Sequence, residues 1–471
     1  MSLASATRRS NPDVSLLLQR LPHGAALALA QGARVWSYDD LHREIALCCE
    51  RLSALGVSRG AAFGWLGLNS VPMIAALFAC AKLHARFVPL NWRLASTELQ
   101  AIAAHAGLAA CHADSGFDAL DGVGASMEVH PIEPDDLLLV YTSGTTGEPK
   151  GALHTQAAMV ANVDAAIDAQ GFDAKVRTLA ALPLFHVGGL CIQVLPTLAA
   201  GGAVRLHARF DADAWFDDVA AWRPATSLLV PAVMRALIEH PRWPGADLSS
   251  LRFINSGSQV VPRALIEAFH ARGVPVAQVY GATETGPVTL VLRPSEAMAH
   301  AGSVGRPALG VEVRLVNNEV QVRAPNLARG YHRRPDDGAF GDGWFRTGDL
   351  ARVDGDGFYE IVGRASELII SGGENIYPAE IEHIALADAA VAEAAVVGVP
   401  DARWGEVAVL AVVARAGATV DVERLRGAFV AVLARFKHPR RIVVLDALPK
   451  TALGKVRKAD LALDLQQVRD P

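Results

Sequence analysis

Residues Tyr141–Gly151 read Tyr-Thr-Ser-Gly-Thr-Thr-Gly-Glu-Pro-Lys-Gly, and they decide how the rest of the chain is read. The apolar run Leu137-Leu138-Leu139-Val140 leads into them with the texture of a buried strand. Gly144 and its small neighbours let the backbone wrap closely around an anion, while Thr142, Ser143, Thr145 and Thr146 bring hydroxyl donors. Lys150 adds a mobile positive charge suited to phosphate oxygens. A Walker A loop would run its lysine straight into a helix. Here Pro149 precedes Lys150 and Gly151 follows it, which disfavours a helix starting there. Most Ser/Thr/Gly clusters are solvated turns. The strand before this one and the lysine closing it favour a strand-end loop that holds a triphosphate.

The 471 residues exceed one ordinary domain and suffice for a large core. Hydrophobic content of 51% with 20% charged residues fits a globular enzyme and excludes a disordered chain. A net charge of −5 argues against nucleic acid as an electrostatic partner. Cys48, Cys49, Cys80, Cys111 and Cys191 lack metal-site spacing, so they read as reduced core residues of a cytoplasmic protein. After the basic start, the apolar stretch Val14–Leu18 is too short for a secretory leader. Lys82, His84 and Arg86 interrupt the apolar span Val71–Leu90, so no transmembrane helix is expected.

Ser37-x-x-Asp40 opens an amphipathic helix with Leu41, Ile45, Cys48, Leu52 and Leu55 on one face, stopped by Gly56. Short apolar runs then alternate with helical stretches from Ala62 to Tyr280, the rhythm of an α/β fold with mainly parallel sheets and sites at strand carboxyl ends. From about residue 307 the texture turns to β-hairpins, with Asn317-Asn318 as a turn. The expected fold is α/β: a large N-terminal domain of parallel-sheet layers plus a β-rich subdomain over 1–364, then a small mobile C-terminal α+β domain over 365–471, hinged near 364–368.

Four further blocks carry chemistry. In Tyr280-Gly281-Ala282-Thr283-Glu284-Thr285-Gly286, the aromatic followed by glycine suits a flat base on a ring with backbone close by. Thr283 can donate to a phosphate and Glu284 offers a hard oxygen to Mg²⁺. In Gly343-Trp-Phe-Arg-Thr-Gly-Asp349, an ionised Asp349 can accept from both hydroxyls of a ribose; Gly357–Arg364 follows it. In Glu367–Pro378, Gly372 and Gly373 permit close approach of another surface. The last block is Pro449-Lys-Thr-Ala-Leu-Gly-Lys455, in which a lone tail lysine would ordinarily be a surface charge.

Together these blocks resemble the adenylate-forming superfamily of acyl-CoA and aryl-CoA synthetases, amino-acid adenylation domains and luciferases. The resemblance spans nearly the whole chain and includes Pro89-Leu90-Asn91-Trp92-Arg93-Leu94. It implies an ATP-dependent acid–CoA ligase that forms an acyl-AMP and then an acyl-CoA, using ATP, Mg²⁺ and CoA. By the same resemblance Lys455 bridges substrate carboxylate and α-phosphate, Arg364 adds a sugar contact, and Gly257 and Ser258 flank the adenine. His186 in Leu-Pro-Leu-Phe-His positions the acid, and Gly372-Gly373 lines the pantetheine channel. Glu367 stands where the family's hinge usually has Asp or Lys, and Ser258 and Gln259 replace small apolar residues. The resemblance leaves a homodimer open. Loading of a separate carrier protein is the rival; amino-acid adenylation domains commonly have an aspartate where this chain has His186, and no carrier segment follows Lys458. A non-catalytic binding homologue is disfavoured by Glu284, Asp349, Arg364 and Lys455. Expected pocket walls are Val187-Gly188-Gly189, Thr226–Val230, Val279 and Pro287-Val288, fitting a medium-chain fatty or compact aromatic acid. Those walls hold no arginine, which disfavours a dicarboxylate such as malonate.

Overall fold

Apolar strands that are buried on both faces dominate the first half, and they assemble as that pattern demands. The structure, a computed structural model, describes residues 15–117, 135–142, 150–334, 338–372, 374–450 and 456–467. Ser143, Gly144, Thr145, Thr146, Gly373 and Lys455 lie outside the described residues.

The first six-stranded sheet has Ala62–Leu66 and Arg86–Leu90 at its centre, fully buried and paired in parallel. Leu108–Ala113 and Asp136–Thr142 flank them, also in parallel. Lys150–Thr155 then returns antiparallel to Asp136–Thr142, with Thr142 opposite Lys150. Lys150 therefore opens a strand, as its Pro-Lys-Gly setting suggests, and the loop of Tyr141–Gly151 joins two arms of a hairpin. Helix Val71–Leu83 packs its apolar length into the core, with every residue from Met73 to Ala81 buried. Among the described residues no helix is long and apolar enough to cross a membrane.

A second sheet holds Thr226–Ser227, Arg177–Ala180 and Ala203–Leu206 in parallel and continues into Leu27–Gln31 and Arg34–Ser37. Ser37 closes that hairpin and caps helix Tyr38–Ala54: its hydroxyl accepts from the Asp40 amide, while the Asp40 carboxylate accepts from the Ser37 amide. The buried face of this helix is Tyr38, Leu41, Ile45, Cys49 and Leu52. Cys49 rather than Cys48 occupies the stripe, and Leu55 is exposed as the C-cap.

A third sheet pairs Ile254–Gly257 with Val276–Tyr280 in parallel, so both strands end on the same side. The β-rich part follows in antiparallel pairing. Strands Glu312–Val316 and Glu319–Arg323 meet through Asn317 and Asn318, whose φ values of 51° and 64° are those of a type I′ turn. Trp344–Val353 pairs with Tyr359–Arg364, placing Asp349 directly opposite Arg364. The last sheet, built from Ile369–Ser371, Glu374–Ile376, Val391–Asp401, Gly405–Ala414 and Arg441–Leu445, has its own core around Ile381, Leu410 and Phe429.

Candidate active site

The end of strand Val276–Tyr280 meets the strand pair Trp344–Val353 and Tyr359–Arg364 of another sheet at Tyr280. Its hydroxyl donates to Asp349 Oδ2 at 2.7 Å, and Arg364 Nε meets Asp349 Oδ1 at 2.8 Å. Burial, and then the Asp349 charge, push the Tyr280 phenol well above its ordinary value, so it stays a donor. Asp349 is itself only 7% exposed, yet both carboxylate oxygens have partners, which offsets the cost of burying its charge. Arg364 lies half in solvent, available to a ligand.

Glycine is required twice where this cluster is built. A Cβ on Gly257 would sit 2.2 Å from the Val279 carbonyl, and one on Gly281 would sit 2.1 Å from the Pro287 carbonyl. Either contact would force the loop away from the tyrosine. Beyond Gly257 the chain turns through Ser258 at φ 70°, a left-handed conformation uncommon for serine, with its side chain exposed.

The second half of the block forms a separate group. Tyr331 donates its hydroxyl to Glu284 Oε1 at 2.6 Å, and Lys150 Nζ lies over the Tyr331 ring at 5.0 Å. Strand Gly330–Tyr331 pairs with Lys150–Thr155, which brings the lysine and the tyrosine onto one edge. Beneath them His154 donates from Nε2 to the Thr283 carbonyl at 2.7 Å. Burial holds this histidine neutral, lowering it to about 4. Asn326 bonds the Thr285 and Val288 carbonyls through its amide, so the turn after Glu284 is tied from below. Tyr331 and His154 escape a motif-based reading, because their partners Glu284 and Thr283 lie 47 and 129 residues away in sequence.

His186 follows the buried Phe185 and stands at the start of the π-helical segment Gly188–Val194, a widened turn often found at functional sites. Gly188 approaches Ser258: a Cβ there would be 4.0 Å from the serine hydroxyl. Two cavities flank the segment 286–288. One is lined by Val279, Val288, Val291, Ala166, Gln170 and Asn255; the other includes Val187, Met159, Cys191 and Pro287. Of the residues expected to wall the acid pocket, Val279, Val288, Val187 and Pro287 line these cavities, whereas Gly188, Gly189 and Thr226–Val230 do not, and Leu228 packs with Val279 in the core.

Gly372 belongs to a different place, the turn of the last sheet. Its φ is 60°, its amide donates to the Trp404 carbonyl, and a Cβ would meet the Trp404 ring at 2.7 Å. Lys458, just past the chain's last block, is not a surface charge. It is largely buried and bridges Glu367 at 2.7 Å and Glu382 at 2.8 Å. Burial opposes its charge, but Glu382 and Glu367 outweigh that and hold the ammonium above the ordinary lysine value.

The sequence model of the AMP-binding enzyme family matches residues 19–123 and 112–332, and that of the AMP-binding enzyme C-terminal domain matches 380–455. The chain belongs to the AMP-binding enzyme family. Within it, the relatives place the chain in the adenylate-forming acid–CoA ligase branch. Indoleacetate–CoA ligase of Aromatoleum aromaticum is 42% identical over 90% of this chain and 92% of that protein. Feruloyl-CoA synthase of Amycolatopsis is 37% identical over 93% and 96%. Among solved structures, o-succinylbenzoate CoA synthetase of Bacillus subtilis with its acyl-adenylate intermediate superposes with a TM-score of 0.85, at 30% identity over 97% of this chain and 98% of that one. The same enzyme has been solved with ATP and magnesium ion.

Proposed function

We propose that this AMP-binding enzyme converts a compact aromatic or medium-chain fatty acid into its CoA thioester through an acyl-AMP. A carboxylate oxygen attacks the α-phosphorus of ATP, and the bond to the bridging oxygen breaks to release pyrophosphate. The CoA sulfur then attacks the acyl carbon, the bond to AMP breaks, and the thiol proton passes to solvent.

One observation carries the reading: Tyr280, at the end of its strand, hydrogen-bonds Asp349, which in turn pairs with Arg364 on the neighbouring strand. The tyrosine ring offers a face to the adenine, and the Asp349 carboxylate offers acceptors to the ribose hydroxyls. Lys150, Thr142 and the loop between them take the phosphates, and Thr283 adds a donor. Among the described residues no group of three or more His, Cys, Asp or Glu could hold a metal. Glu284 as a single partly buried carboxylate fits Mg²⁺, which keeps waters and phosphate oxygens around one or two protein ligands. Bound there, Mg²⁺ would neutralise phosphate charge. Gly257, Ser258 and Gly281 border the nucleotide, and His186 borders the acid. Lys455 neutralises charge on the α-phosphate during adenylation. The unit from 365 to 471 then turns about Glu367 and brings Gly372 and Gly373 toward the pantetheine arm.

Carboxylate-dependent ATP–pyrophosphate exchange tests the first half, and thioester formation on CoA against a phosphopantetheinylated carrier tests the second. Exchange followed by acyl-CoA is expected, with Asp349→Asn raising the KM for ATP roughly tenfold, as a lost charge-assisted hydrogen bond would. Acyl-AMP formed without any thioester on CoA would sink the proposal.

A further inference from the structure

One short segment is stitched to both sides of the phosphate region. The Ala328 amide donates to the Glu284 carbonyl at 2.7 Å, and Asn326 Nδ2 donates to the Thr285 and Val288 carbonyls. Residues 326–328 are thereby fixed to the turn that carries Glu284. Beyond them the amides of Arg329 and His332 donate to the Leu153 and Gly151 carbonyls at 2.8 and 2.7 Å, which fixes residues 329–332 to the strand that Lys150 opens. Tyr331 lies within this second anchor. Its hydroxyl donates to Glu284 Oε1 at 2.6 Å, and Lys150 Nζ lies 5.0 Å from the centre of its ring. The ring also meets Phe340 edge to face, with centroids 5.7 Å apart. Tyr331, Glu284 and Lys150 are all half-buried, so each keeps part of its surface open to a ligand.

One side chain thus touches both charges that the ligase reading assigns to the triphosphate, the carboxylate for Mg²⁺ and the phosphate lysine. From this we infer that Tyr331 is a positioning residue for adenylation: its hydroxyl orients the Glu284 carboxylate for the metal, and its ring stations the Lys150 ammonium beside it. The inference rests on the ligase reading and adds a residue to that site.

The chemistry of each contact suits that role. A phenol donating to Oε1 fixes the orientation of the carboxylate and, by that bond, leaves Oε2 to a cation. A carboxylate already held in place loses less rotamer freedom when a metal binds, and outer partners of this kind set metal affinity. The face of the ring attracts the ammonium without taking up an N–H, so the contact does not compete with phosphate oxygens for donors. Strand pairing and Phe340 hold the ring independently of its hydroxyl. The two functions of Tyr331 can therefore be removed one at a time.

The test uses the full-length enzyme, with Mn²⁺ as the probe for the metal and α,β-methylene ATP as a nucleotide that cannot transfer AMP. Electron paramagnetic resonance reads Mn²⁺ binding, and calorimetry in EDTA reads nucleotide binding without metal. In Tyr331→Phe, Mn²⁺ should bind the nucleotide complex roughly tenfold more weakly. Metal-free nucleotide binding should stay within about twofold of the unmodified enzyme, because the ring face is kept. Tyr331→Leu removes the ring as well, and metal-free nucleotide binding should then weaken several-fold. In a Glu284→Gln background, Tyr331→Phe should change Mn²⁺ binding no further, since the hydroxyl acts through that carboxylate. The Mg²⁺ concentration for half-maximal ATP–pyrophosphate exchange should rise in Tyr331→Phe by the same factor as the Mn²⁺ dissociation constant. Mn²⁺ binding unchanged or tightened in Tyr331→Phe would overturn the inference while leaving the ligase reading intact. So would a loss that persists in the Glu284→Gln background, or equal weakening of metal and metal-free nucleotide, as a merely structural role would give. No exchange by the unmodified enzyme with any carboxylate would instead overturn the ligase reading, and with it the part of Tyr331 in adenylation.

Discussion

His154 shows what one side chain does beneath the site. It is 2% exposed, and its single proton on Nε2 holds the Thr283 carbonyl, fixing the backbone just before Glu284. Its folded value of about 4 lies below the ordinary 6.5. Between those values the unfolded chain binds the proton and the folded chain does not, so stability is present above pH 6.5 and is lost as pH falls toward 4. Urea midpoints should show a loss of about 2 kcal/mol between pH 7 and pH 5. His154→Gln, which keeps a donor without a titrating ring, should flatten that slope; an unchanged slope would show that other groups set it. Neither His154 nor Tyr331 announces itself locally. Each acquires a role from what strand pairing places beside it.

At the scale of elements, strand pairing decides what meets: parallel pairing ends the strands of Gly257 and Tyr280 side by side. The hinge proposed near Glu367 also draws on separate elements. Glu367 ends the short turn Ala365–Glu367, Glu382 sits on helix Pro378–Leu386, and Lys458 begins helix Lys458–Gln467. The ammonium between two carboxylates ties the hinge to both helices. Lys458→Met should release that tie, weakening it by roughly 1.5–3 kcal/mol as loss of charged hydrogen bonds does. Limited proteolysis at 364–368 should then quicken several-fold. Unchanged cleavage would show that the pair does not restrain the hinge.

Across the whole molecule, one site has to serve two reactions. Lys455→Ala should lower adenylation about a hundredfold or more, the scale on which loss of a charge-stabilising group acts. Thioester formation from supplied acyl-AMP should stay within about tenfold of the unmodified enzyme, because that step has no need of the lysine at the α-phosphate. Stopped-flow measurement of the two half-reactions separates them, and equal losses in both would contradict a swinging C-terminal unit. The α/β character of the first part and its mainly parallel strands were legible because buried strands read as apolar runs.

The sequence by itself determined the elements whose signal is local. Ser37 and Asp40 start a helix, Pro149-Lys150-Gly151 cannot continue one, and Asn317-Asn318 makes a hairpin turn. Local dihedral preference and capping suffice for each. The ordered motifs likewise marked an adenylation chemistry. Only the tertiary structure decided that Tyr331 meets Glu284, that Lys458 is buried between two carboxylates, and that Asn255 joins Gln170 in a buried amide relay. Those contacts join residues 47, 91 and 85 positions apart, respectively, for Tyr331–Glu284, Lys458–Glu367 and Asn255–Gln170. Their energy depends on burial and pairing across elements, which no local pattern encodes.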